Sequence, residues 1–546
     1  LRKLALFLLI LSFFATASTC RKREAGVVTV ALPDKFTTLD TLTTEKSDAA
    51  AERLKNLIFN TMVRKNENFE YVGELAKEII TSEDGLKITF KLQDGVKFHN
   101  GKEFTSADVK YTFDELFRSS GFKKGAFYDS VPLGKPGPSP APKADTTGSD
   151  TNANTAPKVA ETKTKLVPHI TLIETPDPKT VVFTVTRPAL RNQLLANLVA
   201  VPIIPEGTIA QQKETPVGTG PFKFVNFDAS QNIVEFAANT DYWEGPPKVQ
   251  KMRLKTMVDA TSLQAELTTG AVDIAPNPSN LLPDTIKALS SSSNLKIDQT
   301  EGSNIQYVVF NTQLAPLDNV KVRQAIAYAI DREKIVSDLL FDQAKPADSV
   351  LPAQSWAFTT GTKYQCDPEK AKQLVKESGY KNEPIIFKYA SGSAYVNQYS
   401  QVIQSSLVDI GLNVQIETLE RNTIIAQLAQ GQVQMYTGIF VGGNQDPIFL
   451  RDLFSSTKIP TPTLVGFNRS RYVNAEVDKT VEDAINSTDK TIAKDLYGKV
   501  WNTVSGEVPI LPLWYPANIV VSNRRIGNAK MNGSGDWTFL KDITVE

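Results

Sequence analysis

Two histidines, His99 and His169, and two cysteines, Cys20 and Cys366, are all that this 546-residue chain holds of the side chains that most often do covalent or metal chemistry near neutral pH. They are scattered along the sequence. There is no His-Glu-x-x-His, no Cys-x-x-Cys, no Gly-x-Ser-x-Gly and no Walker loop. The 60 Asp and Glu residues supply carboxylates, but none at a spacing that suggests glycosidase work. Catalysis is therefore not expected, and neither is a cofactor or a histidine-rich metal or haem site. What remains is recognition. Phe440, Trp356, Tyr395, Tyr307 and the Trp514-Tyr515 pair offer aromatic faces suited to apolar side chains or sugar rings. The backbone of Gly442-Gly443 can hydrogen-bond an extended peptide in the manner of an added strand. Cys366 reads as buried or inert, since nothing near it marks a thiolate.

These residues have to be positioned by an α/β scaffold. Val27 to Leu32 alternates toward a strand, and Ile88, Phe90 and Leu92 alternate after the Asp84-Gly85 turn. Thr105-Ser-Ala-Asp108 reads as a capping box opening a helix, and Asn100-Gly101 as a turn. Val181 to Val185 is a strand candidate. Thr215-Pro-Val-Gly-Thr-Gly-Pro221 is a turn rather than a dinucleotide fingerprint, because the third glycine is missing and Pro221 blocks a following helix. Val322, Ile326, Ala329 and Ile330 share one helix face, and Asp331 is placed to cap the next helix. Asp367-Pro to Gly379 is a complete helix statement, with an Asp cap, Pro at the first position and Gly past the end. A helix from about Tyr395 to Ile410 stops at Gly411, before a strand carrying Leu412, Val414 and Ile416. Such helix-then-strand units build α/β sheets.

At this length more than one core is expected. Lys+Arg and Asp+Glu balance at 60 each, so no global charge draws the chain to nucleic acid or to an anionic membrane. Residues 1–19 read as a signal peptide: Arg2 and Lys3 precede an apolar run from Leu4 to Ala17 that is too short to span a bilayer comfortably. Ala17-Ser-Thr-Cys20 resembles a lipobox, with Ala17 and Thr19 where Leu and a Gly or Ala are usual. Cys20 is the expected lipidation site, and residues 20–26 the tether. From Pro132 to Lys165 hydrophobic residues nearly vanish, and the stretch is expected to be disordered.

The run Asp94-Gly-Val-Lys-Phe-His-Asn-Gly-Lys-Glu-Phe-Thr-Ser-Ala-Asp-Val-Lys-Tyr-Thr-Phe113 resembles a block near the start of bacterial extracellular solute-binding protein family 5, the receptors that feed peptide and nickel ABC importers. The Gly-Thr-Gly-Pro turn at Gly218–Pro221, Asn239-Thr-Asp-Tyr-Trp243, Gly302 to Asn311 and Val322-Arg-Gln-Ala325 are similar to further motifs of that family, in the same order. The resemblance implies a two-lobed periplasmic-binding-protein fold of the class II, or cluster C, type. Mixed sheets, two hinge-crossing segments and an extra subdomain in the first lobe belong to it. Lobe I is expected over 27–304 and 509–546, with the subdomain at about 60–168, and lobe II over 305–508. Val508 to Tyr515 is expected to return the chain to lobe I.

In peptide-binding members, a Gly-Trp segment followed by Asp and then Asp-Pro borders the cleft, and the first acid pairs with the peptide amino terminus. The matching stretch here is Gly438-Ile-Phe-Val-Gly-Gly-Asn-Gln-Asp446-Pro447, in which the amino-anchoring place falls on Gly443 or Gly442. The Arg by which dipeptide-specific relatives grip a carboxylate is likewise absent from Ala390-Ser-Gly-Ser-Ala394. A zwitterionic dipeptide and the nickel branch are both disfavoured. The resemblance implies a lipid-anchored, exported, monomeric receptor that captures an oligopeptide and works with an ABC permease and ATPase. An oligosaccharide or other organic solute, or a non-transport envelope sensor or adhesion lipoprotein, are the alternatives. The candidate ligand-binding residues are Leu39, Asp40, Tyr307, Trp356, Tyr395, Phe440, Val441, Gly442, Gly443, Asn444, Asp446 and Tyr515.

Overall fold

Apolar strands such as Ile305–Phe310, buried at every residue, need cover on both faces, and the chain provides it in two separate layers. A computed structural model describes residues 26–36, 38–45, 48–132, 164–462 and 466–546. Among them, one seven-stranded sheet carries Val27–Leu32 near its middle, parallel to Lys251–Thr256. A six-stranded sheet is built around Ile305–Phe310, antiparallel to both Met435–Phe440 and Ile510–Pro516.

Period-two alternation divides each sheet between two cores. Ile305, Tyr307 and Val309 enter one apolar cluster, while Val308 and Phe310 enter the other. In the first sheet Val520 faces one cluster, and Ile519 and Val521 face its opposite.

The chain leaves the first sheet with Leu295–Thr300 and enters the second with Ile305–Phe310. Its return differs from expectation. Ile510–Pro516 lies in the second sheet, between Ala344–Pro346 and Ile305–Phe310, and only Asn518–Asn523 belongs to the first. The crossing back is therefore at Ala517, not at 508/509. A run buried from Ile510 to Tyr515 satisfies either sheet equally, so its composition does not choose between them.

The crossings touch. A Cβ on Gly302 would overlap the Pro516 carbonyl oxygen, so glycine is what lets the two segments lie side by side.

A third, four-stranded antiparallel sheet runs in the order Ala76–Thr81, Lys87–Leu92, Thr180–Val185, Ile170–Asp177. Ile88, Phe90 and Leu92 are fully buried, and Phe90 meets Phe183 edge-on at 5.5 Å. The expected subdomain limit at 168 cuts through this unit, because Thr180–Val185 is one of its two inner strands. Tyr128–Pro132 pairs with Thr164–Pro168, so Pro132, Thr164 and Lys165, expected to be disordered, are strand residues held by backbone bonds that need no apolar side chain. The rest of that stretch, and the signal and lipidation segment through Cys20, lie outside the described residues.

Local signals operate as their chemistry requires. Thr105 N donates to Asp108 Oδ2 at 2.9 Å to open the helix Ser106–Arg118. Asp367 caps Pro368–Ser378, which ends at Gly379 in the left-handed conformation. The helix Ala394–Asp409 precedes the strand Val414–Leu419. Cys366 is exposed rather than buried. Desolvation and the neighbouring Asp331 and Asp367 push its thiol above the usual range, which disfavours the thiolate.

Candidate functional site

The strand Met435–Phe440 ends where the first crossing begins, and the loop after it is tied to that crossing. Gly442 adopts φ 73° and donates its N–H to Asn304 Oδ1 at 3.1 Å. Asn444 Nδ2 donates to Ser303 O at 2.6 Å and Val350 O at 3.1 Å, and Gln445 Nε2 to Ser303 Oγ at 2.8 Å. The loop is thus fastened to the first crossing.

The first lobe reaches this loop through the hairpin Val63–Lys65 and Tyr71–Gly73. Lys65 Nζ donates to Gln445 Oε1 at 2.8 Å, and the Tyr71 hydroxyl donates to Asp446 Oδ2. Farther along the same rim Lys490 pairs with Glu70. Three side-chain bridges therefore join the lobes across the rim of the cleft. Burial pushes the Lys65 ammonium down to about 8 against the opposing pull of Asp446.

Asp446 is fully engaged. Its Oδ1 accepts from Ile448 N at 2.8 Å, turning the chain into the helix Phe449–Phe454, while Oδ2 accepts a hydrogen bond from the Tyr71 hydroxyl. Gly443 has no side chain to replace an anchoring acid, and a Cβ there would press on the Phe449 ring at 3.2 Å.

The aromatic candidates separate into core and rim. Tyr307 is buried, stacked on Phe440 at 4.1 Å. Tyr515 is buried too, its hydroxyl donating to Ser349 O or Leu351 O, each 2.6 Å away. Both are structural here, because each hydroxyl is committed inside the protein. Leu39 and Asp40 are buried in a turn, where Asp40 Oδ1 accepts from Leu42 N at 2.9 Å and Thr43 N at 2.8 Å. Asn444 is buried as the hinge pin. Tyr395 is half-buried and accepts from Trp514 Nε1 at 2.8 Å. Trp356 is half-buried, edge-on to Tyr497 at 5.9 Å with Lys490 Nζ 5.3 Å from its ring centre. Val441 stands 70% exposed and Gly443 is open to solvent.

Sequence reading missed Lys65, Tyr71, Phe467 and Arg469. Arg469 donates to the Tyr307 hydroxyl at 2.7 Å, and its guanidinium lies 5.7 Å from the Phe440 ring centre and 5.8 Å from that of Phe467. Burial disfavours the cation, but the Tyr307 and Tyr436 hydroxyls outweigh it, so the pKa stays above the ordinary guanidinium value. No motif distinguishes this arginine from its neighbour Arg471; only the fold does.

The histidines are structural. His99 Nε2 donates to Gly220 O at 3.0 Å, and burial lowers its pKa to about 4. His169 is buried with Nε2 3.2 Å from Asp129 Oδ1. Among the described residues no group of three or more His, Cys, Asp or Glu side chains could hold a metal ion.

Comparison with known proteins agrees with this geometry. Residues 70–461 match the family described as "Bacterial extracellular solute-binding proteins, family 5 Middle". The chain is 27% identical over 500 residues to Heme-binding protein A of Haemophilus influenzae, across 86% of this chain and 83% of that protein. It is 26% identical to Di/tripeptide-binding protein 2 of Pseudomonas aeruginosa, across 96% of each. Its fold superposes on the ABC transporter substrate-binding protein CtaP of Listeria monocytogenes with a TM-score of 0.78 at 22% identity, covering 96% of this chain and all of that one. The architecture is the two-lobed fold of periplasmic binding proteins. With motifs, fold and a hinge-tied rim all in place, the chain belongs to the bacterial extracellular solute-binding proteins of family 5, which are binding components of transporters and not enzymes.

Proposed function

We propose that this protein captures an oligopeptide between its two lobes and delivers it to an ABC permease, held at the membrane by lipid on Cys20 and working as a monomer. The rim carries this reading. Gly442 and Gly443 lie where Asn304, Ser303 and the first-lobe hairpin converge; their N–H groups are held by Asn304 Oδ1 and Val441 O, and the solvent-exposed Gly443 carbonyl is the backbone group offered to a ligand. Backbone-only recognition suits a peptide of variable sequence, because main-chain groups bind alike whatever the side chains. Trp356 and Tyr395 add half-buried aromatic faces. Closure of the lobes on the ligand would fold the side-chain bridges at Lys65, Glu70 and Tyr71 into the bound state. A relative whose name describes di- and tripeptide binding supports the same ligand class.

Native mass spectrometry of gently purified protein tests the ligand. A discrete added mass that fragments as peptide is expected. An added mass that fragments as sugar, or stabilisation only by non-peptide solutes in a thermal-shift screen, would replace the peptide assignment. Incorporation of labelled palmitate, abolished by Cys20→Ser, tests the anchor.

A further inference from the structure

The place where the family resemblance puts a carboxylate for a peptide ammonium falls on Gly443 or Gly442, and the nearby Asp446 keeps its charge while accepting from the Tyr71 hydroxyl and from Ile448 N. Arg469 approaches the same loop from the second lobe. Its guanidinium stands 5.7 to 6.0 Å from the ring centres of Phe440, Phe467 and Tyr436, and Phe440 in turn meets Phe449, the ring against which Gly443 lies. The rings keep the cation without neutralising it. Among the described residues only the Tyr307 hydroxyl takes one of its side-chain N–H groups, at 2.7 Å, and Arg469 forms no ion pair. Lys65, reaching in from the first lobe, bonds to the Gln445 amide and has the Asp446 carboxylate as its nearby anion. Phe467, one of the rings around the guanidinium, is 41% exposed.

The rings hold a cation whose guanidinium has N–H groups to spare, and a ligand anion is the partner that such groups take. Resting on the peptide reading above, we infer that Arg469 anchors a carboxylate of the bound peptide, and that the peptide amino group is not charge-paired. The planar guanidinium fork matches a carboxylate in two parallel hydrogen bonds, which a hydroxyl or amide cannot reproduce. The polarity of recognition is thus set at the acidic end of the peptide.

The test uses the full chain and the tripeptide Ala-Phe-Leu in free, N-acetylated and C-amidated forms at pH 7, with amidated Ala-Glu-Leu as a fourth probe. The expected result is that acetylation changes affinity by less than about threefold while amidation weakens it by at least about tenfold. Recovery with amidated Ala-Glu-Leu would place the carboxylate on a side chain and support the same anchor. Arg469→Gln should bind the free and amidated forms equally, and Arg469→Lys should retain part of the difference. An amide bound as tightly as the free acid by the wild-type chain overturns the inference while leaving peptide capture standing. Failure of every form to bind the wild-type chain overturns both. The wild-type comparison needs no variant to fold.

Discussion

Gly302 and Pro516 sit on opposite crossings of the hinge, and the Cα of the first lies so close to the carbonyl oxygen of the second that any Cβ would overlap it. The two strands of chain that join the lobes are thus packed backbone to backbone. Gly302→Ala should force them apart and destabilise the protein by about 1–3 kcal/mol, the usual cost of overpacking a tight site. The urea midpoint measures this, and an unchanged midpoint would mean that the crossings separate freely.

Gly498 gives the opposite expectation. It lies inside the helix Lys490–Glu507, and a Cβ added there would meet nothing within 4 Å. Gly498→Ala should therefore raise stability by about 0.5–1 kcal/mol, the difference in helix propensity. A fall in thermal midpoint would show that a neighbour had been overlooked.

His99 predicts a pH dependence. Its neutral ring donates to Gly220 O and accepts from Gly218 N at 3.4 Å, and burial holds its pKa at about 4 against an ordinary 6.5. Between those values the unfolded chain takes up a proton that the folded chain refuses. The contribution is present above pH 6.5 and lost as the pH falls toward 4, amounting to about 3 kcal/mol over the whole interval. His99→Gln, which keeps a donor for Gly220, should flatten that part of the stability profile. Parallel profiles for the two proteins would refute the assignment.

The lobe bridges predict a shift in closure. Tyr71→Phe removes the proton donated to Asp446 Oδ2 and should cost the joined state about 1–2 kcal/mol. Lys490→Ala should cost less than about 1 kcal/mol, since its pair with Glu70 is solvent-exposed on both sides. Fluorescence energy transfer between labels on the two lobes should report a larger open fraction for Tyr71→Phe. Equal fractions would leave closure independent of these contacts.

Much of the scaffold was legible because its signals are local. The capping box at Thr105–Asp108 and the helix Pro368–Ser378 depend on residues three to twelve positions apart. The return crossing was not legible, because the apolar run Ile510–Pro516 fits any buried strand and its partner is set by the topology. The site divided along the same line. Phe440 and Gly442 were placed by a motif, but Tyr307 and Tyr515 could not be told from rim aromatics without knowing which face of the sheet they occupy. Arg469 matters because of what does not surround it, and a missing counter-ion leaves no mark on a sequence.

The strands Ile510–Pro516 and Asn518–Asn523, with Ala517 between them, have a bearing on how the protein is made. The first lies between Ala344–Pro346 and Ile305–Phe310, and the second between Ile274–Pro276 and Leu295–Thr300. Each is an interior member of its sheet, so neither sheet can be completed while this one stretch is still unsynthesised. A nascent chain more than 500 residues long must wait for it, with both cores unfinished, before either lobe can lock. Both lobes are then finished together by a single ribbon.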